Sequence, residues 1–397
     1  MKLRSKLILS LAVSLLATIP AYSQTIPSDG SDLDFSPTNN IVIDLSIAVP
    51  GLWNANNSAN AGKGIYDSNK WAVVYKFGSV NIPAGVTVTF INHPSHAPVV
   101  WLVAGTVQID GTLSVAGQSG TTDGILRLTP SEPGPGGFRG GAYSPALGGG
   151  TGYGPGTANP QFDNTGNGFY ASEYGNPQII PLIGGSGGSG TYIRANNGGA
   201  GGGAILIAAA GGIAINGLIT ANGGAALFGG SGGAIRLIAP QVSGNGQVTA
   251  FNPSFGGPGG LAGRIRIETT ALAPTLQTTP VTIAVAPAAI PIIWPADDAP
   301  TVRVASVDGT PIQGDPTAPL VSAADIPLQN NGTVQVILET KNFPLEGVVQ
   351  LRTVQKYGPA AWVTATNSAG TFAQATWIAN VTFAPGFTTL QARATVP

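Results

Sequence analysis

The 397-residue chain is rich in glycine and proline, with 58 and 32 residues, and it has no cysteine. The absence of cysteine excludes disulfides, cysteine zinc sites, thiol catalysis and covalently bound haem. Charged residues make up 9% of the chain, against about 25% in an average globular protein, and the 17 Lys and Arg against 18 Asp and Glu give no basic excess that would favour nucleic acid as a partner.

The chain begins with the pattern of a secretory signal peptide, which we place at residues 1–23. The pattern consists of a positive start, an apolar run and a small-residue cleavage site: Lys2, Arg4 and Lys6; Leu7 to Ile19; and Ala21-Tyr22-Ser23. No later stretch reaches the roughly 18 apolar residues of a membrane span, so we expect no transmembrane segment. The sequence thus predicts a secreted bacterial protein that is extracellular, at the cell surface or in the periplasm.

Residues 24–96 form a β-rich segment that we predict caps the body of the protein, residues 97–272. Within the body a five-residue sequence motif, which we call the phrase, recurs every 30 residues, at Gly203–Ile207, Gly233–Leu237 and Gly263–Ile267. Self-similarity at a fixed period indicates stacked units rather than a globular fold around one core. We expect the apolar side chains of the phrase to stack in one continuous core: Ile205, Ile207, Ile235, Leu237, Ile265 and Ile267.

Other short stretches of the body alternate apolar and polar residues around a glycine. Val107–Val115 alternates on both sides of Gly111, Ile213–Ala221 does so around Gly217, and 244–250 is a weaker copy. Period-2 alternation is typical of strands with one buried face, and glycine permits the tight turns between them. Several short strands per 30-residue unit favour an all-β fold, a parallel β-helix or solenoid, over a leucine-rich or helical repeat.

The glycine content of residues 184–263, roughly a third, invites comparison with two other folds. Collagen needs Gly at every third position, and the run Gly201-Gly202-Gly203 breaks that register. Calcium-binding β-rolls need an Asp in each nonapeptide turn, but no Asp or Glu occurs between Gly184 and Gly263. The sequence therefore argues against both.

Residues 138–183 read as a long insertion. Its aromatic residues lie among Gly, Asn and Pro: Phe138, Tyr143, Tyr153, Phe162, Phe169, Tyr170 and Tyr174. Loops of this length in compact folds are usually functional or disordered. Two interpretations stay open: a surface for sugar stacking or self-association, and a loop that folds back and covers one side of the body with its own aromatics. We favour the second.

A proline-rich linker, residues 273–295, precedes a C-terminal domain at residues 296–397. Apolar residues alternate along this domain, as in the run from Trp377 to Phe383, and turns separate the runs. About seven short strands in roughly 100 residues indicate an immunoglobulin-like β-sandwich. We expect this domain to fold alone.

Few side chains of this sequence are candidates for catalysis or metal binding. His93 and His96 are the only histidines and lie in a proline-punctuated turn, predicted to be exposed, with no third metal ligand nearby. The body contains six acids: Asp110, Asp123, Glu132, Asp163, Glu173 and Glu268. Glycosidases need two carboxyl groups roughly 5–10 Å apart, and the sequence assembles no such pair. We assign no catalytic, cofactor-binding or metal-binding residue, expect no cofactor and predict that the protein is not an enzyme.

Four arginines of the body could stack on one outer face and bind an acidic glycan: Arg127, Arg236, Arg264 and Arg266. We favour the alternative, a solvated row that keeps the body soluble. The stretch Gly185–Gly190 is superficially similar to a phosphate-binding loop, but neither Gly-Lys-Ser/Thr nor a helix follows it. We predict that this stretch and residues 230–232 are flexible turns.

Two stretches, Ile82–Val88 and Val107–Leu113, and the phrase at 232–237 resemble the opening rungs of secreted bacterial right-handed β-helix proteins, the broad group of adhesin-like and pectin-lyase-like passengers. The resemblance covers residues 80–270 at most, and its motifs encode rungs and turns rather than a site. It implies a right-handed parallel β-helix and a surface, adhesive or polysaccharide-processing role. No catalytic residue of that group can be placed on this chain.

Three functions fit the sequence. We favour an exported structural or adhesive surface protein, whose partners would be polysaccharide or other surface proteins, including copies of itself. The first alternative is a polysaccharide lyase or hydrolase with a site on an outer face near the insertion. The second is a protein that binds ice or a crystalline polymer through a threonine row, for which Thr112, Thr220 and Thr249 occupy comparable positions.

Overall fold

The computed structural model of the protein describes residues 25–120, 130–144, 149–156, 174–191, 196–253, 262–312, 324–329 and 332–396. The predicted signal peptide lies outside these ranges. The structure is nearly all β, with 38% strand and 2% helix. Within the described ranges, no helix is long and apolar enough to cross a membrane.

Residues 41–285 supply nineteen short strands and two single-turn 3-10 helices. The strands are β1 (Ile41–Asp44), β2 (Val49–Pro50), β3 (Ile65–Asp67), β4 (Ala72–Phe77), β5 (Val80–Ile82), β6 (Thr87–Ile91), β7 (Val99–Val103), β8 (Val107–Ile109), β9 (Thr112–Ser114), β10 (Ala204–Ala209), β11 (Ile213–Ile215), β12 (Leu218–Thr220), β13 (Ala234–Ile238), β14 (Gln241–Ser243), β15 (Gln247–Thr249), β16 (Arg264–Glu268), β17 (Ala271–Leu272), β18 (Gln277–Thr279) and β19 (Ala284–Val285). The 3-10 helices span Leu45–Ile47 and Ser58–Asn60.

These strands form three sheets. Sheet A has the order β5-β8-β11-β14-β17, sheet B has β1-β6-β9-β12-β15-β18, and sheet C has β2-β3-β4-β7-β10-β13-β16-β19. From β4 onward every third strand joins the same sheet, and the pairs within each sheet are parallel. Sheet C is mixed, because β3 and β4 are antiparallel. Two of the strands, β18 and β19, lie within the stretch predicted to be a linker.

The repeated phrase forms successive strands of sheet C in register. Ile205 pairs with Ile235 and Ile235 with Ile265, while the second apolar position of each phrase pairs in the same way. All six predicted side chains are buried in one cluster that also receives residues from sheets A and B. The prediction of a continuous stacked core at these six positions is therefore confirmed.

The outer face of sheet C is also covered. A second apolar cluster forms on it from alternate residues of β4, β7, β10 and β13 together with Ile179, Leu182 and Ile293. The covering residues come from segment 174–183, from the chain after β19 and, with Ile26, from the described start of the chain. This explains why β4, β10 and β13 are buried along their whole length.

Many of the described glycine-rich residues between β9 and β13 lie outside the strands. They pack instead as extended segments, which we call the glycine bundle: 115–120, 131–144, 149–154, 184–191, 196–203 and 222–233. Hydrogen bonds between adjacent segments recur every third residue: Gly185, Gly188 and Thr191 donate to the carbonyls of Gly202, Gly199 and Asn196 at 2.7, 2.8 and 3.0 Å. Three residues per turn is the repeat of the polyproline II helix, which has no internal hydrogen bonds and so bonds to its neighbours.

Glycine is required in the bundle because neighbouring backbones approach too closely for a side chain. A Cβ on Gly201 would overlap the carbonyl oxygen of Gly185, one on Gly202 that of Ala221, and one on Gly203 that of Pro135. The three consecutive glycines thus face three different neighbours. In collagen only one residue in three faces the crowded axis, whereas here all three sides of the segment are covered.

The described residues of the C-terminal domain form eight further strands: β20 (Thr301–Val307), β21 (Thr310–Pro311), β22 (Thr333–Lys341), β23 (Val348–Gln355), β24 (Ala361–Thr364), β25 (Thr366–Gly370), β26 (Gln374–Thr382) and β27 (Thr388–Thr395). They form two antiparallel sheets with the orders β21-β20-β22-β26-β25 and β24-β23-β27. The alternating run from Trp377 to Phe383 is buried in the core of this domain.

The predicted fold, a right-handed parallel β-helix with an immunoglobulin-like sandwich, is wrong. The strands lie in large parallel and mixed sheets, and the glycine-rich part of the predicted solenoid is a bundle of extended segments without strands. The hydrogen bonds between glycine segments have the three-residue spacing that collagen also uses, which the sequence argument against a collagen fold does not anticipate. The C-terminal sheets have five and three strands, unlike the four and three of the immunoglobulin constant type.

The C-terminal domain contacts the glycine bundle. Arg352 Nη1 donates to the carbonyl of Gly154 at 2.9 Å, and the backbone N–H of Ala360 donates to Thr151 Oγ1 at 3.0 Å. Tyr153 packs in a small apolar cluster with Val354. The proposed domain boundaries stay predictions.

Candidate functional site

The histidine turn packs against a segment that is distant in sequence. His96 Nε2 lies 3.7 Å from Glu132 Oε1, and Asn92 Nδ2 donates to the same oxygen at 3.1 Å. The other oxygen of Glu132 pairs with Arg139. The prediction of an exposed turn is wrong, because segment 131–139 covers His96 and leaves its side chain 19% exposed.

The two histidines have different surroundings. Burial lowers the pKa of His96 to about 4, with Glu132 opposing the shift and Arg139 adding to it, so the ring is neutral at pH 7. His93 stacks on Tyr66 with ring centroids 3.9 Å apart, and its Nδ1 accepts from the backbone N–H of Ser95 at 3.1 Å. The Ser95 hydroxyl, 2.8 Å from the same nitrogen, belongs to this local turn. The cluster offers one neutral imidazole and one carboxylate already bound to an arginine.

The two other predicted acids that the structure describes, Asp110 and Glu268, have separate partners. Asp110 accepts from Gln108 Nε2 at 2.6 Å and from Asn216 Nδ2 at 2.8 Å, and Glu268 is buried against arginines. Asp123, Asp163 and Glu173 lie outside the described residues. In the part of the chain that the structure describes, no group of three or more His, Asp or Glu could hold a metal ion.

The predicted solvated row of arginines is wrong for Arg236, which is 2% exposed. Its Nη2 lies 2.7 Å from Glu268 Oε1, and Arg266 Nε donates to the same oxygen at 2.7 Å. Arg264 Nη2 donates to the carbonyl of Ile183 at 2.7 Å. These arginines do project from the outer face of sheet C, but segment 174–183 lies against them. Arg127 is outside the described residues.

The glycine–serine stretches and the threonine positions also differ from expectation. Ser186 and Ser231 are buried in adjacent segments of the glycine bundle, and the N–H of Ser186 donates to Ser231 Oγ at 2.9 Å, so these stretches are not flexible turns.

The predicted threonine row is not exposed. Thr220 and Thr249 pair in sheet B but are 8% exposed, and Thr112 pairs with Leu218 instead of Thr220. The described threonines therefore form no regular exposed row.

The described aromatic residues of the predicted insertion contact different parts of the protein. Phe138 and Tyr153 belong to the glycine bundle and pack against the C-terminal domain, and Tyr174 lies beside Arg264. Segment 174–183 thus lies on one side of the body, as the interpretation of a loop that folds back expects, whereas Phe138 and Tyr153 contact the C-terminal domain. Phe162, Phe169 and Tyr170 lie outside the described residues.

A flat aromatic platform lies on the outer face of the three-stranded C-terminal sheet. Trp362 on β24 is 36% exposed, and the guanidinium of Arg393 on β27 lies 4.0 Å from its ring centroid. Gln350, on the central strand between them, accepts from Arg393 Nη2 and donates to Thr364 Oγ1 at 3.4 Å. We call Trp362, Arg393, Gln350 and Thr364 the Trp362 platform.

The register of the sheet assembles this platform. Gln350 pairs with Thr364 on one side and with Arg393 on the other, and Trp362 pairs with the next outward residue of β23, Arg352. Sequence reasoning missed the platform because its residues lie on three strands. Their partners become apparent only when the strand order is known. The available signal was the alternation of Trp362 and Thr364 on one short strand.

Comparison with known proteins gave no match: no family model, no curated protein and no solved structure is similar to this chain. The resemblance to secreted right-handed β-helix proteins therefore stays a prediction, and the functional argument depends on the chemistry of the described surfaces.

Proposed function

We propose that this protein is an exported structural or adhesive surface protein that attaches to polysaccharide through the Trp362 platform. The observation that carries the proposal is an exposed tryptophan held in a flat polar surface by Arg393, on a sheet face that the glycine bundle leaves partly open. The predicted signal peptide supports the proposal, because export would bring such a surface outside the cytoplasm, where polysaccharides are abundant.

The chemistry of the platform suits a sugar ring. One face of a pyranose carries C–H groups that pack on an indole. Arg393 covers part of the Trp362 ring, so the sugar would contact the part of the indole that stays exposed. The hydroxyls at the edge of the ring are both donors and acceptors. Gln350 and Thr364 also offer both, while Arg393 offers donors only. The platform therefore supplies an apolar base with polar groups at its edge.

The rest of the molecule fits a supporting role. The stacked sheets and the glycine bundle bury backbone and side chains on several sides, and they give the platform a rigid base through contacts such as Arg352 with Gly154. An adhesive function requires binding and mechanical persistence without turnover, and it places no demand for a tuned acid–base pair.

The proposal is tested by screening the purified mature protein on a glycan array and measuring the dissociation constant of the best glycan by calorimetry. We expect Trp362→Ala to weaken binding at least tenfold. Phe372→Ala is the matched control, because Phe372 is an exposed aromatic residue of the same domain, at 58%, outside the platform. Equal binding by wild type and Trp362→Ala, or absence of binding to any glycan, would contradict the proposal.

A further inference from the structure

The side chain of Arg393 is held across the outer face of the three-stranded C-terminal sheet. Arg393 pairs in register with Gln350, whereas Trp362 lies in the next row and pairs with Arg352. The Arg393 guanidinium therefore crosses β23 diagonally to reach the Trp362 ring, 4.0 Å from its centroid, and Nη2 donates to Gln350 Oε1. These two contacts fix the plane and the position of an exposed guanidinium before any ligand binds.

Both contacts of Arg393 are with neutral groups. Among the described residues, Arg393 has no carboxylate partner, and Gln350 is its one hydrogen-bond acceptor. Arg303, an exposed arginine of the same domain, pairs instead with Glu339. The other N–H groups of Arg393 are thus available to a ligand. Since Arg393 and Trp362 are both exposed, a chain can lie across them without entering a cavity.

The chain around the platform carries positive charge only. Residues 347–397, which include the whole three-stranded sheet, contain Arg352, Lys356 and Arg393 but no Asp or Glu. The Arg352 guanidinium also lies near the Trp362 ring, 5.6 Å from its centroid. Burial lowers the pKa of Arg352 to about 10, and the charge of Arg393 adds to the shift. An anion bound to Arg393 would weaken this repulsion.

We propose that the polysaccharide bound by the Trp362 platform is acidic, and that Arg393 pairs with the carboxylate of a uronic acid ring packed on the exposed part of Trp362. A guanidinium offers paired hydrogen bonds that match the two oxygens of a carboxylate. The carboxylate of a uronic acid projects from the edge of its ring, so a ring packed on the indole directs it along the platform. This inference rests on the proposed function and names its substrate class.

The test is calorimetry on the full mature protein with trimers of galacturonate, glucuronate and mannuronate, each compared with its methyl ester. The ester keeps the rings and linkages but removes the charge, so the ratio of the two dissociation constants measures recognition of the carboxylate. We expect at least one acid to bind at least tenfold more tightly than its ester. Arg393→Gln should abolish this preference, whereas Arg303→Gln is the matched control and should keep it.

The ratio separates recognition from support. If Arg393 only held Trp362 in place, Arg393→Gln would weaken binding of acid and ester equally and leave their ratio unchanged, which would overturn the inference. Equal binding of acid and ester by wild type would do the same, as would a preference for sulfated glycans over all three uronates. Binding of neutral glycans alone, lost in Trp362→Ala, would refute this inference and leave the proposed attachment intact.

Discussion

Single glycines set the spacing of the bundle. A Cβ at Gly201 would overlap the backbone oxygen of Gly185, and backbone cannot move aside as a flexible side chain can. We expect Gly201→Ala to lower the free energy of unfolding by about 1–3 kcal/mol or more, as in other overpacked cores. Gly212→Ala is the control, because its Cβ would have ordinary contacts, and it should change the stability by less than about 0.5 kcal/mol. Urea unfolding of both variants checks this, and equal stabilities would contradict the close packing.

His96 makes stability depend on pH. Its pKa is about 4 in the folded protein and near 6.5 in the unfolded chain, so between these values the unfolded chain binds a proton that the folded protein does not. The free energy of unfolding should therefore fall as the pH is lowered from about 6.5 to about 4. His96→Asn should reduce this fall, since asparagine tolerates the backbone φ of +55° at this position.

Chemical unfolding at about pH 7 and about pH 5 measures the effect of His96. His93→Gln is the control, because it leaves His96 in place. The free energy of unfolding of this variant should differ between the two pH values as much as that of wild type. If the free energy of unfolding of His96→Asn differs between the two pH values as much as that of wild type, another group is responsible for the pH dependence.

The burial of Arg236 could not be predicted from the sequence pattern alone. Alternation along the phrase correctly places Ile235 in the interior and Arg236 on the opposite face. It does not reveal that segment 174–183, some 50 residues earlier in the chain, covers that face. An outward residue is exposed only if nothing packs on the sheet, and that depends on tertiary structure. The same limit explains why the histidine turn is predicted to be exposed.

Mutations at Ile235 and Arg236 should both lower the free energy of unfolding. Ile235→Ala should cost about 2–5 kcal/mol as a core truncation. Arg236→Ala should cost more than about 1 kcal/mol, because buried Glu268 loses two of its hydrogen-bond donors. Denaturant unfolding measures both, and a neutral Arg236→Ala would contradict the buried ion pair.

At the scale of elements, strands were predictable and glycine segments were not. Val107–Val115 and Ile213–Ala221 alternate with period 2 and form β8–β9 and β11–β12, as their patterns predict. The run Gly201-Gly202-Gly203 has no side-chain pattern to interpret. Its structure follows from how many neighbours surround the segment, which local sequence does not specify. The Trp362 platform was missed for a related reason, since it depends on strand order.

The C-terminal domain is expected to fold by itself. Its core of residues such as Trp377 and Leu338 lies within its own two sheets, although Val354 also contacts Tyr153 of the glycine bundle. A fragment of residues 296–397 should show a β-type far-UV spectrum and a cooperative melt, with lower stability than in the full protein because the Val354 surface becomes exposed. A featureless spectrum would show that the domain depends on the bundle.

At the scale of the whole molecule, the three parallel or mixed sheets, the glycine bundle and the antiparallel C-terminal sheets together form a support with few titratable groups. Among the described acids of residues 97–272, Asp110 accepts from two amides and Glu132 and Glu268 are bound to arginines, and His96 is neutral beside a carboxylate that is already paired. The proposed attachment to polysaccharide does not depend on any of these titratable groups. If the protein were an enzyme, the cluster of His96 and Glu132 would be the place to find the reaction, because it alone combines an imidazole with a partly exposed carboxylate among the described residues.

The most direct measurement incubates the mature protein with the polysaccharide that it binds best, with and without Ca²⁺, and follows both retention on the polymer and release of reducing or unsaturated ends. We predict retention that Trp362→Ala weakens at least tenfold, with product no greater than that of a heat-treated sample. Product that accumulates with wild type and disappears in Glu132→Gln would contradict attachment without turnover and identify an enzyme.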